Sequence, residues 1–475
     1  MTIPATAPAR LVVLGAGPGG YAAAFLAADL GMAVTLVDAE PLPGGVCLHR
    51  GCIPSKALLH VAHVIHESRE AGDWGVRFAP PQIELDELRA WKQSVVDKLT
   101  RGLGTLARAR RVTYLQGLGH FEGPNTLHVR SDGQVTELAF DYAIVATGSV
   151  PAIPPPLRIE SPRVLDSTSA LELPDIPATL LVVGGGYIGL ELGSVYAALG
   201  SRVTIVEMTG GLLPGADRDL VQVIEKRLRG EVEAILLNTR VASLADTGDA
   251  VRARLTSAAF DEVEHRFDRV LIATGRTPNT RTLGLDNTRA QLDARGFVVV
   301  DAQRRTAEPA IYAIGDVAGE PMLAHKAAHE ARVAVEAILG RPTAFAPAAI
   351  PAVVFTDPEI AWTGLTETQA RERGIAIETS TFPWGASGRA TTMGRSDGLT
   401  KLVIEPGTQR ILGVGIAGTN AGELIAEATL AVEMGATVQD LHLTIHAHPT
   451  LAETLMQAAS LYLGHSPDYL RPRSR

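Results

Sequence analysis

The chain has 475 residues, 46% of them hydrophobic and 20% charged, a balance that excludes a mostly disordered protein. Its formal net charge of −9, with no long basic run, argues against nucleic acid or a membrane surface as a partner. The length predicts about two to four domains. No signal-peptide pattern precedes the first apolar run, so we expect a cytoplasmic protein.

The segment from Arg10 to Ala39 predicts a strand–helix–strand unit that binds a dinucleotide. The apolar strand LVVLG leads into a glycine-rich turn and a helix over Tyr21 to Leu30, and the strand AVTLVD follows. The turn allows the backbone and the helix N-terminus to approach a pyrophosphate. Asp38 ends the second strand, where an acidic residue binds a ribose 2′-OH. The glycines of the turn are Gly15, Gly17 and Gly20.

Both cysteines of the chain, Cys47 and Cys52, lie in one stretch, GGVCLHRGCIPSKALL, from Gly44 to Leu59. Pro54 suits the first turn of a helix, so we expect Cys52 at a helix N-terminus, which stabilises a thiolate. We favour a redox-active pair. A zinc site lacks further ligands at suitable spacing, and a structural disulfide closing so short a loop would stabilise little. Two unrelated buried thiols are a third alternative.

The longer stretch GGVCLHRGCIPSKALLH resembles the redox motif of the flavoprotein disulfide reductases. It is most similar to the members of that family that act on dihydrolipoyl groups. His49 and Arg50 stand where the typical motif has Asn-Val, and the spacing of the cysteines is unchanged. The resemblance extends from Leu11 to about Leu463. It implies FAD and NAD as cofactors and a disulfide between the two cysteines that opens and closes during turnover.

The next part of the chain carries less chemistry. Lys92 to Arg110 predicts a long amphipathic helix with its charges in solvent. A strand from Phe140 then ends in an Ala-Thr-Gly turn. In the resembling family this turn, which here contains Thr147 and Gly148, closes the FAD-binding unit. The family also places the backbone near Gly119 beside the adenine of the flavin.

After a proline-rich linker from Pro151 to Pro156, the strand–turn–helix–strand plan repeats between Leu180 and Glu207. Glu207 can accept a hydrogen bond from a ribose 2′-OH but would repel a 2′-phosphate, so the second unit is expected to bind NAD rather than NADP. A second Ala-Thr-Gly turn ends at Gly275. The second glycine turn and the start of its helix contain Gly184, Gly186, Tyr187 and Gly189.

The resemblance assigns further residues to the cofactors. Lys56, one helical turn beyond the second cysteine, is expected beside the flavin, with Glu191 as its ion-pair partner. Tyr187 is similar to the ring that covers the nicotinamide pocket. Asp316 completes a Gly-Asp pair that holds the ribityl chain of the flavin, and Ala324 lies where the family starts a helix near the isoalloxazine ring.

A candidate base lies near the C-terminus, in the sequence HPTLAE from His448 to Glu453. Read alone, a histidine and a glutamate at this spacing are more often a surface pair. The family motif His-Pro-Thr-x-x-Glu implies that His448 is the base and that Glu453 orients its ring. We expect a helix from about Thr450, which brings the two together. His446 is the rival base, but it lacks a following proline and is interpreted as structural.

The predicted fold class is α/β, with two Rossmann-like dinucleotide-binding domains and a C-terminal α+β interface (dimerisation) domain. An FAD-binding domain with the redox disulfide is placed at residues 1–150 and an NAD-binding domain at 151–278. Residues 279–349 return to the FAD or central domain, and 350–475 form the interface domain. In the resembling family the interface domain presents its histidine to the partner subunit's disulfide, which implies a homodimer with shared active sites.

By resemblance, the chain oxidises dihydrolipoyl groups and reduces NAD⁺ through the Cys47–Cys52 disulfide and FAD. Its substrate would sit on a lipoyl-bearing carrier protein or on the E2 core of a 2-oxo acid dehydrogenase complex, or serve glycine cleavage. Two alternatives stay open. One is an NAD(P)H-dependent reductase of another small disulfide, and the other is a chain that acts mainly as an assembly subunit. No metal site is predicted.

Overall fold

The computed structural model describes residues 8–470. The RPRSR tail, for which the sequence predicts nothing, lies outside the described residues. So do residues 1–7, which form most of the segment that lacks a signal-peptide pattern. Among the helices of residues 8–470, none has the length and apolar content that a membrane span requires.

The N-terminal part of the chain builds a parallel sheet with helices against it. Strands β1, β2 and β3 are neighbours in the order β3-β2-β1-β7, while β4, β5 and β6 form a separate antiparallel sheet. The strands are β1 (Arg10–Leu14), β2 (Ala33–Asp38), β3 (Thr113–Gln116), β4 (Leu118–Gly123), β5 (Thr126–Ser131), β6 (Gln134–Ala139), β7 (Tyr142–Val145) and β8 (Ser149–Pro151). The helices are α1 (Pro18–Asp29), α2 (Gly45–Arg50), α3 (Cys52–Glu70) and α4 (Leu85–Ala109).

The next part repeats this plan. Its parallel sheet has the order β12-β11-β10-β16-β9, and β13 to β15 form an antiparallel sheet. The strands are β9 (Val164–Leu165), β10 (Thr179–Val183), β11 (Arg202–Val206), β12 (Ala234–Leu236), β13 (Thr239–Asp246), β14 (Val251–Ser257), β15 (Phe260–Phe267), β16 (Arg269–Ile272) and β17 (Arg276–Pro278). The helices are α5 (Ser167–Leu171), α6 (Tyr187–Leu199) and α7 (Arg218–Glu231).

The chain then returns to the first sheet. Strand β18 (Ile311–Ala313) pairs in parallel with β7 and completes the five-stranded order β18-β7-β1-β2-β3. Helix α8 (Ala324–Ile338) packs on α1, and a Cβ added at Gly19 would lie 3.1 Å from the Cβ of Ala327. The return of β18 agrees with a central role for this segment, while the exact domain boundaries stay a prediction.

The C-terminal part is an antiparallel sheet with helices, in agreement with the α+β domain predicted there. The order is β19-β20-β23-β22-β21. The strands are β19 (Ala352–Val354), β20 (Glu359–Gly364), β21 (Glu378–Pro383), β22 (Leu399–Ile404) and β23 (Ile411–Gly418). The helices are α9 (Glu367–Arg373), α10 (Gly388–Thr392), α11 (Ala421–Glu433), α12 (Val438–Leu443) and α13 (Glu453–Tyr462).

Two dinucleotide-binding units followed by an α+β unit confirm the predicted fold class. Some helix starts differ from the prediction. Helix α1 begins at Pro18 rather than Tyr21, because proline at the first helical position loses no hydrogen bond. Helix α13 begins at Glu453 rather than at about Thr450.

The prediction that the charges of α4 face solvent is wrong at Lys92. The Lys92 side chain is buried, and its Nζ donates a hydrogen bond of 2.6 Å to the carbonyl oxygen of Leu171 in α5. Burial lowers the pKa of Lys92. The second unit therefore covers part of the face of α4 that the sequence pattern assigns to water.

Candidate active site

The first glycine turn joins β1 to α1 and packs closely against the backbone at the end of β7. Gly15 has a φ of +101°, and a Cβ there would collide with the carbonyl oxygen of Ala146, so the position requires glycine. A Cβ at Gly20 would overlap the carbonyl oxygen of Gly15. Gly17 is the N-cap of α1 and has no side chain to occupy the first N–H groups of the helix. Those donors are therefore free to meet an anion.

Asp38 is tied to this turn by two backbone hydrogen bonds. The amide of Ala16 donates to Oδ2 at 2.5 Å, and the amide of Glu40 donates to Oδ1 at 2.9 Å. A carboxylate has about four acceptor positions, so both oxygens keep capacity for a ribose hydroxyl. The acid thus fixes the turn and presents an acceptor at its rim.

The second glycine turn has the same construction. Gly184 has a φ of +114°, and a Cβ there would collide with the carbonyl oxygen of Ala273. A Cβ at Gly189 would collide with the carbonyl oxygen of Gly184, and Gly186 is the N-cap of α6. The close approach of strand and helix that the spacing predicts is therefore present in both units.

Glu207 takes the place in the second unit that Asp38 has in the first. The amide of Gly185 donates to its Oε2 at 2.8 Å, and the amide of Thr209 donates to its Oε1 at 2.7 Å. Glu207 is buried, which holds the carboxylate in a single position. The same arrangement, an acid that accepts the amide of the second residue in the turn, thus occurs twice.

A cavity of about 730 Å³ extends from the first glycine turn to the start of α6. Some predicted residues lie outside its lining. Five belong to the second unit, namely Gly184, Gly186, Gly189, Glu207 and Gly275, and the others are Gly20, His448 and Glu453. The predicted residues that line it are Gly15, Gly17, Asp38, Cys47, Cys52, Lys56, Gly119, Thr147, Gly148, Tyr187, Glu191, Asp316 and Ala324.

The two cysteines lie together on the wall of this cavity, in their free form. Cys47 is in α2, and Cys52 is the first residue of α3, as predicted. A hydrogen bond between the two thiols raises the pKa of Cys47 and lowers that of Cys52 to about 7. The charge of Lys56 also favours the Cys52 thiolate. The pair is therefore asymmetric, with Cys52 as the more acidic thiol.

Lys56 and Glu191 form the expected ion pair. Lys56 Nζ lies 2.8 Å from Oε2 of Glu191, whose side chain is only 4% exposed. The second oxygen, Oε1, accepts the backbone amide of Phe355 at 3.0 Å. The pair connects α3 of the first unit with α6 of the second.

Asp316 is held by a short chain of hydrogen bonds. The hydroxyl of Ser149 donates to Oδ2 of Asp316 at 2.5 Å, and Nε of Arg276 donates to that hydroxyl at 2.7 Å. Arg276 also donates to the carbonyl oxygen of Ser149 at 2.6 Å. Ser149 and Arg276 both line the cavity and were not predicted.

The two Ala-Thr-Gly turns lie at strand ends. Thr147 Oγ1 donates to the carbonyl oxygen of Asn279 at 2.8 Å, and the amide of Asn279 donates to Gly148 at 2.9 Å. Gly275 is the last residue of the corresponding turn of the second unit, directly before β17. Asn279 lines the cavity and was likewise not predicted.

The remaining cavity residues occupy its walls. A Cβ at Gly119 would lie 2.5 Å from the Cδ1 of Leu14, so the backbone there approaches β1 closely. Tyr187 is the first residue of α6 and keeps 42% of its surface exposed, which leaves its ring available to a ligand. Ala324 begins α8, where the family resemblance places it.

His448 and Glu453 are brought together by the turn before α13. Nδ1 of His448 lies 3.0 Å from Oε1 of Glu453, while Oε2 accepts the amide of Thr450 at 2.7 Å. The His448 side chain is 79% exposed, so its second ring nitrogen is accessible. His446 instead has both nitrogens occupied, by Glu427 at 2.8 Å and by the carbonyl oxygen of Thr444 at 3.0 Å. These contacts favour a structural role for His446.

Comparison with known proteins agrees with this geometry. Residues 9–331 match the family described as "Pyridine nucleotide-disulphide oxidoreductase", and residues 350–459 match its dimerisation domain. The chain belongs to this family. The resemblance stated from the cysteine motif is thereby confirmed, and the match to the dimerisation domain supports a homodimer.

Relatives of the family are similar over nearly the whole chain. The dihydrolipoyl dehydrogenase of Vibrio parahaemolyticus is 47% identical over 460 residues, which cover 97% of each chain. The dihydrolipoyl dehydrogenase of Geobacillus stearothermophilus is 43% identical and covers 95% of this chain and 96% of its own.

Solved structures of the family share the fold at 29% identity. LpdA from Mycobacterium tuberculosis has a TM-score of 0.88 and covers 96% of this chain and 99% of its own. The Cu(II) complex of the HOCl-induced flavoprotein disulfide reductase RclA from Escherichia coli has a TM-score of 0.86, with coverage of 96% and 100%.

FAD and NAD are the cofactors of this family, as predicted. The residues fit both groups. The first turn offers open helix N–H donors with no room for a side chain, and the adjoining cavity is large enough for a flavin dinucleotide. The second turn repeats the donors, and Glu207 is an acid at the position where such units accept a ribose hydroxyl.

Proposed function

We propose that this chain is a dihydrolipoyl dehydrogenase, the E3 component that oxidises protein-bound dihydrolipoyl groups and reduces NAD⁺. The observation that carries the proposal is the asymmetric Cys47–Cys52 pair on the wall of the dinucleotide cavity. Relatives of that name, similar over nearly the full chain, support the same activity. The roles of individual residues follow from their positions.

The cysteine pair exchanges electrons with the substrate dithiol. In the oxidised protein, a substrate thiolate attacks Sγ of Cys47, the Cys47–Cys52 bond breaks, and Cys52 departs as a thiolate. The second substrate thiol then attacks the mixed disulfide, which releases the cyclic disulfide and leaves Cys47 reduced. Two electrons pass from the substrate to the protein. A thiol of low pKa is the better leaving group, which suits Cys52 to its part.

His448 takes the proton that the substrate thiol must lose. Its ring is exposed and one nitrogen is held by Glu453, which sets the tautomer and leaves the other nitrogen to act as base. Because His448 does not line the cavity of its own chain, we assign it to the disulfide of the partner subunit in the homodimer. Glu453 is the orienting residue.

The chemistry that FAD would supply when bound is acceptance of the two electrons of the dithiol and transfer of a hydride to NAD⁺. Cys52 lies on the flavin cavity, and Lys56 favours negative charge there, held by Glu191. Asp316, fixed by Ser149, positions the ribityl chain. Tyr187 covers the nicotinamide pocket.

Glu207 makes NAD the preferred nucleotide. Its two oxygens accept from the backbone and it is buried, so it cannot swing away from a 2′-phosphate. A second negative charge at that point would be repelled. The residues after Glu207 are Met-Thr-Gly-Gly and bring no cation to the site.

The partner that delivers the substrate is a lipoyl-bearing carrier or the E2 core of a 2-oxo acid dehydrogenase complex, or the lipoyl carrier of glycine cleavage. A cytoplasmic location fits a disulfide that must be reduced and reoxidised, since the cytosol keeps thiols reduced. Both statements rest on the proposed activity.

The test is turnover of the purified holoprotein with dihydrolipoamide and NAD⁺, followed by the absorbance of reduced nicotinamide. We expect turnover with NAD⁺ and little with NADP⁺, none in Cys47→Ser, and a severe loss in His448→Ala. If the protein instead oxidises NAD(P)H with another small disulfide and has no activity with dihydrolipoamide, that disulfide is its substrate and the dihydrolipoyl assignment fails. Inactivity with every disulfide would leave an assembly role.

A further inference from the structure

The hairpin of β19 and β20 places its turn against the redox end of the cavity. Strand β19 ends at Val354 and β20 begins at Glu359, so the turn belongs to the C-terminal antiparallel sheet. Two residues of the turn, Phe355 and Asp357, nevertheless contact helix α3, which begins at Cys52. Neither residue is part of the cysteine motif or of the glycine turns.

Phe355 contacts both members of the Lys56–Glu191 pair. Its backbone amide donates to Oε1 of Glu191 at 3.0 Å, the oxygen that Lys56 does not use. Its ring centroid lies 4.6 Å from Nζ of Lys56, within the range of a cation–π contact. One residue therefore holds the carboxylate by its main chain and the ammonium by its side chain.

Asp357 fixes the same turn to α3 farther from the cysteines. Its Oδ2 lies 3.6 Å from Nδ1 of His63 and 3.8 Å from Nδ1 of His66. Arg395 and Arg227 approach the same oxygen at 3.3 and 3.4 Å. Burial works against the charge of Asp357, yet the two nearby histidines and the hydrogen bond from Arg395 hold its pKa well below the usual range. The carboxylate thus stays charged and anchors the turn.

Lys56 needs such support because its ion pair restrains it from one side only. Its side chain is 31% exposed and lines the cavity, whereas Glu191 is buried. A lysine ammonium on a flexible four-carbon stem can rotate about a single carboxylate. The ring of Phe355 gives the ammonium a second attractive surface.

We propose that Phe355 is a positioning residue that holds the Lys56 ammonium and the Glu191 carboxylate in place beside the dithiol. The inference rests on the redox role proposed above for Cys52 and Lys56. Because Asp357 pins the turn to α3, the backbone of Phe355 cannot move away from Lys56 without breaking those contacts. The C-terminal sheet thereby controls the charge that faces the flavin cavity.

The test measures ionisation of Cys52 in the reduced holoprotein. The chain has two cysteines, so carbon-13 labelling of cysteine Cβ gives two NMR signals, assigned with Cys47→Ser. Cys47, Lys56 and Glu191 all act on the Cys52 thiol. We expect Phe355→Leu to raise the midpoint of the Cys52 titration by about half a pH unit relative to the native protein.

Two further variants serve as controls. Phe355→Tyr keeps an aromatic face and the backbone amide, so the midpoint should stay at the native value. Phe297→Leu removes a ring at 4.9 Å from Arg295, outside the cavity lining, and should also leave it unchanged. A shift of equal size in Phe297→Leu would overturn the proposal, because it would show a general response to a lost ring.

A variant of Lys56 separates this inference from the proposed function. In Lys56→Met the midpoint should rise, and adding Phe355→Leu should change it no further. If Phe355→Leu still shifts the midpoint without Lys56, the ring acts by another route and the proposal fails. If Lys56→Met raises the midpoint and Phe355→Leu does not, the proposal alone fails. If Lys56→Met has no effect, the role proposed for Lys56 falls, and this inference with it.

Discussion

The Nζ atom of Lys401 lies 2.7 Å from Oδ2 of Asp217, which joins the C-terminal sheet to the start of α7 in the second dinucleotide unit. Asp219 and Glu367 lie 2.7 and 2.8 Å from the same nitrogen. Within residues 8–470 these carboxylates form the one group close enough to hold a metal ion, and the lysine ammonium lies among them. A single buried cation thus fastens two parts of the chain.

Replacing Lys401 by methionine should strongly destabilise the protein. The three carboxylates would lose their cation. Breaking a buried ion pair from one side costs about 3–5 kcal/mol, and this applies to Asp217, because Asp219 and Glu367 are partly exposed. We expect a clearly lower midpoint of thermal unfolding at pH 7.

The matched control for this prediction is Lys92→Met. Lys92 is also buried, but it donates to the carbonyl oxygen of Leu171 rather than to carboxylates. Its removal strands no charge, so its effect on the midpoint of thermal unfolding should be smaller. Equal losses in the two variants would contradict the prediction.

Replacing Cys47 by alanine should raise the pKa of Cys52. The hydrogen bond from Cys47 is the main cause that lowers this pKa to about 7. Without it, less than half of Cys52 should be thiolate at pH 7, and the NMR titration of labelled cysteine should move to higher pH. Cys47→Ser keeps a hydroxyl donor and should stay closer to the native midpoint. A midpoint of about 7 in Cys47→Ala would show that the hydrogen bond is unimportant.

Replacing Glu453 by alanine should reduce turnover with dihydrolipoamide and leave the cofactor sites intact. The His448 ring would lose the acceptor at 3.0 Å that sets its tautomer. General bases contribute about 10²- to 10⁴-fold to rate, so His448→Ala should fall within that range and Glu453→Ala should lose less. His446→Gln is the control, since both its nitrogens are already bonded. A larger loss in His446→Gln than in His448→Ala would reverse the assignment of the base.

Replacing Glu207 by glutamine should raise the KM for NAD⁺ and reduce the preference of the protein for NAD⁺ over NADP⁺. Glutamine offers one acceptor oxygen, so the backbone amide of either Gly185 or Thr209 would lose its side-chain acceptor. We expect KM for NAD⁺ to rise about tenfold, as a loss near 1.4 kcal/mol implies. Asp38→Asn is the matched control and should alter retention of FAD, with the ratio between the two nucleotides unchanged. The reverse pattern would exchange the roles of the two turns.

Local patterns explain why much of the site was predictable. The acids Asp38 and Glu207 end strands at fixed distances from their glycine turns, and the proline after Cys52 marks a helix start. Each of these features is set by neighbours in sequence, which the spacing reports directly.

Residues brought in from far along the chain were not predictable from such spacing. Ser149 and Arg276 hold Asp316 across two units, and Phe355 reaches Lys56 from the C-terminal sheet. Lys92 is the opposite case. Its charge on an amphipathic helix predicts exposure to solvent, but α5 covers it, and helical periodicity does not indicate that contact. Tertiary packing decides these contacts.

Helix α3 has 19 residues and is therefore about 28 Å long, with Cys52 at one end and Glu70 at the other. Its far end meets Asp357 and Arg395, which come from the C-terminal sheet. A protein engineer who cut the chain ahead of β19 would leave His66 without this buried carboxylate. The flavin-binding half is consequently not a detachable module, and a chimera that borrows the redox helix must borrow the hairpin that braces it.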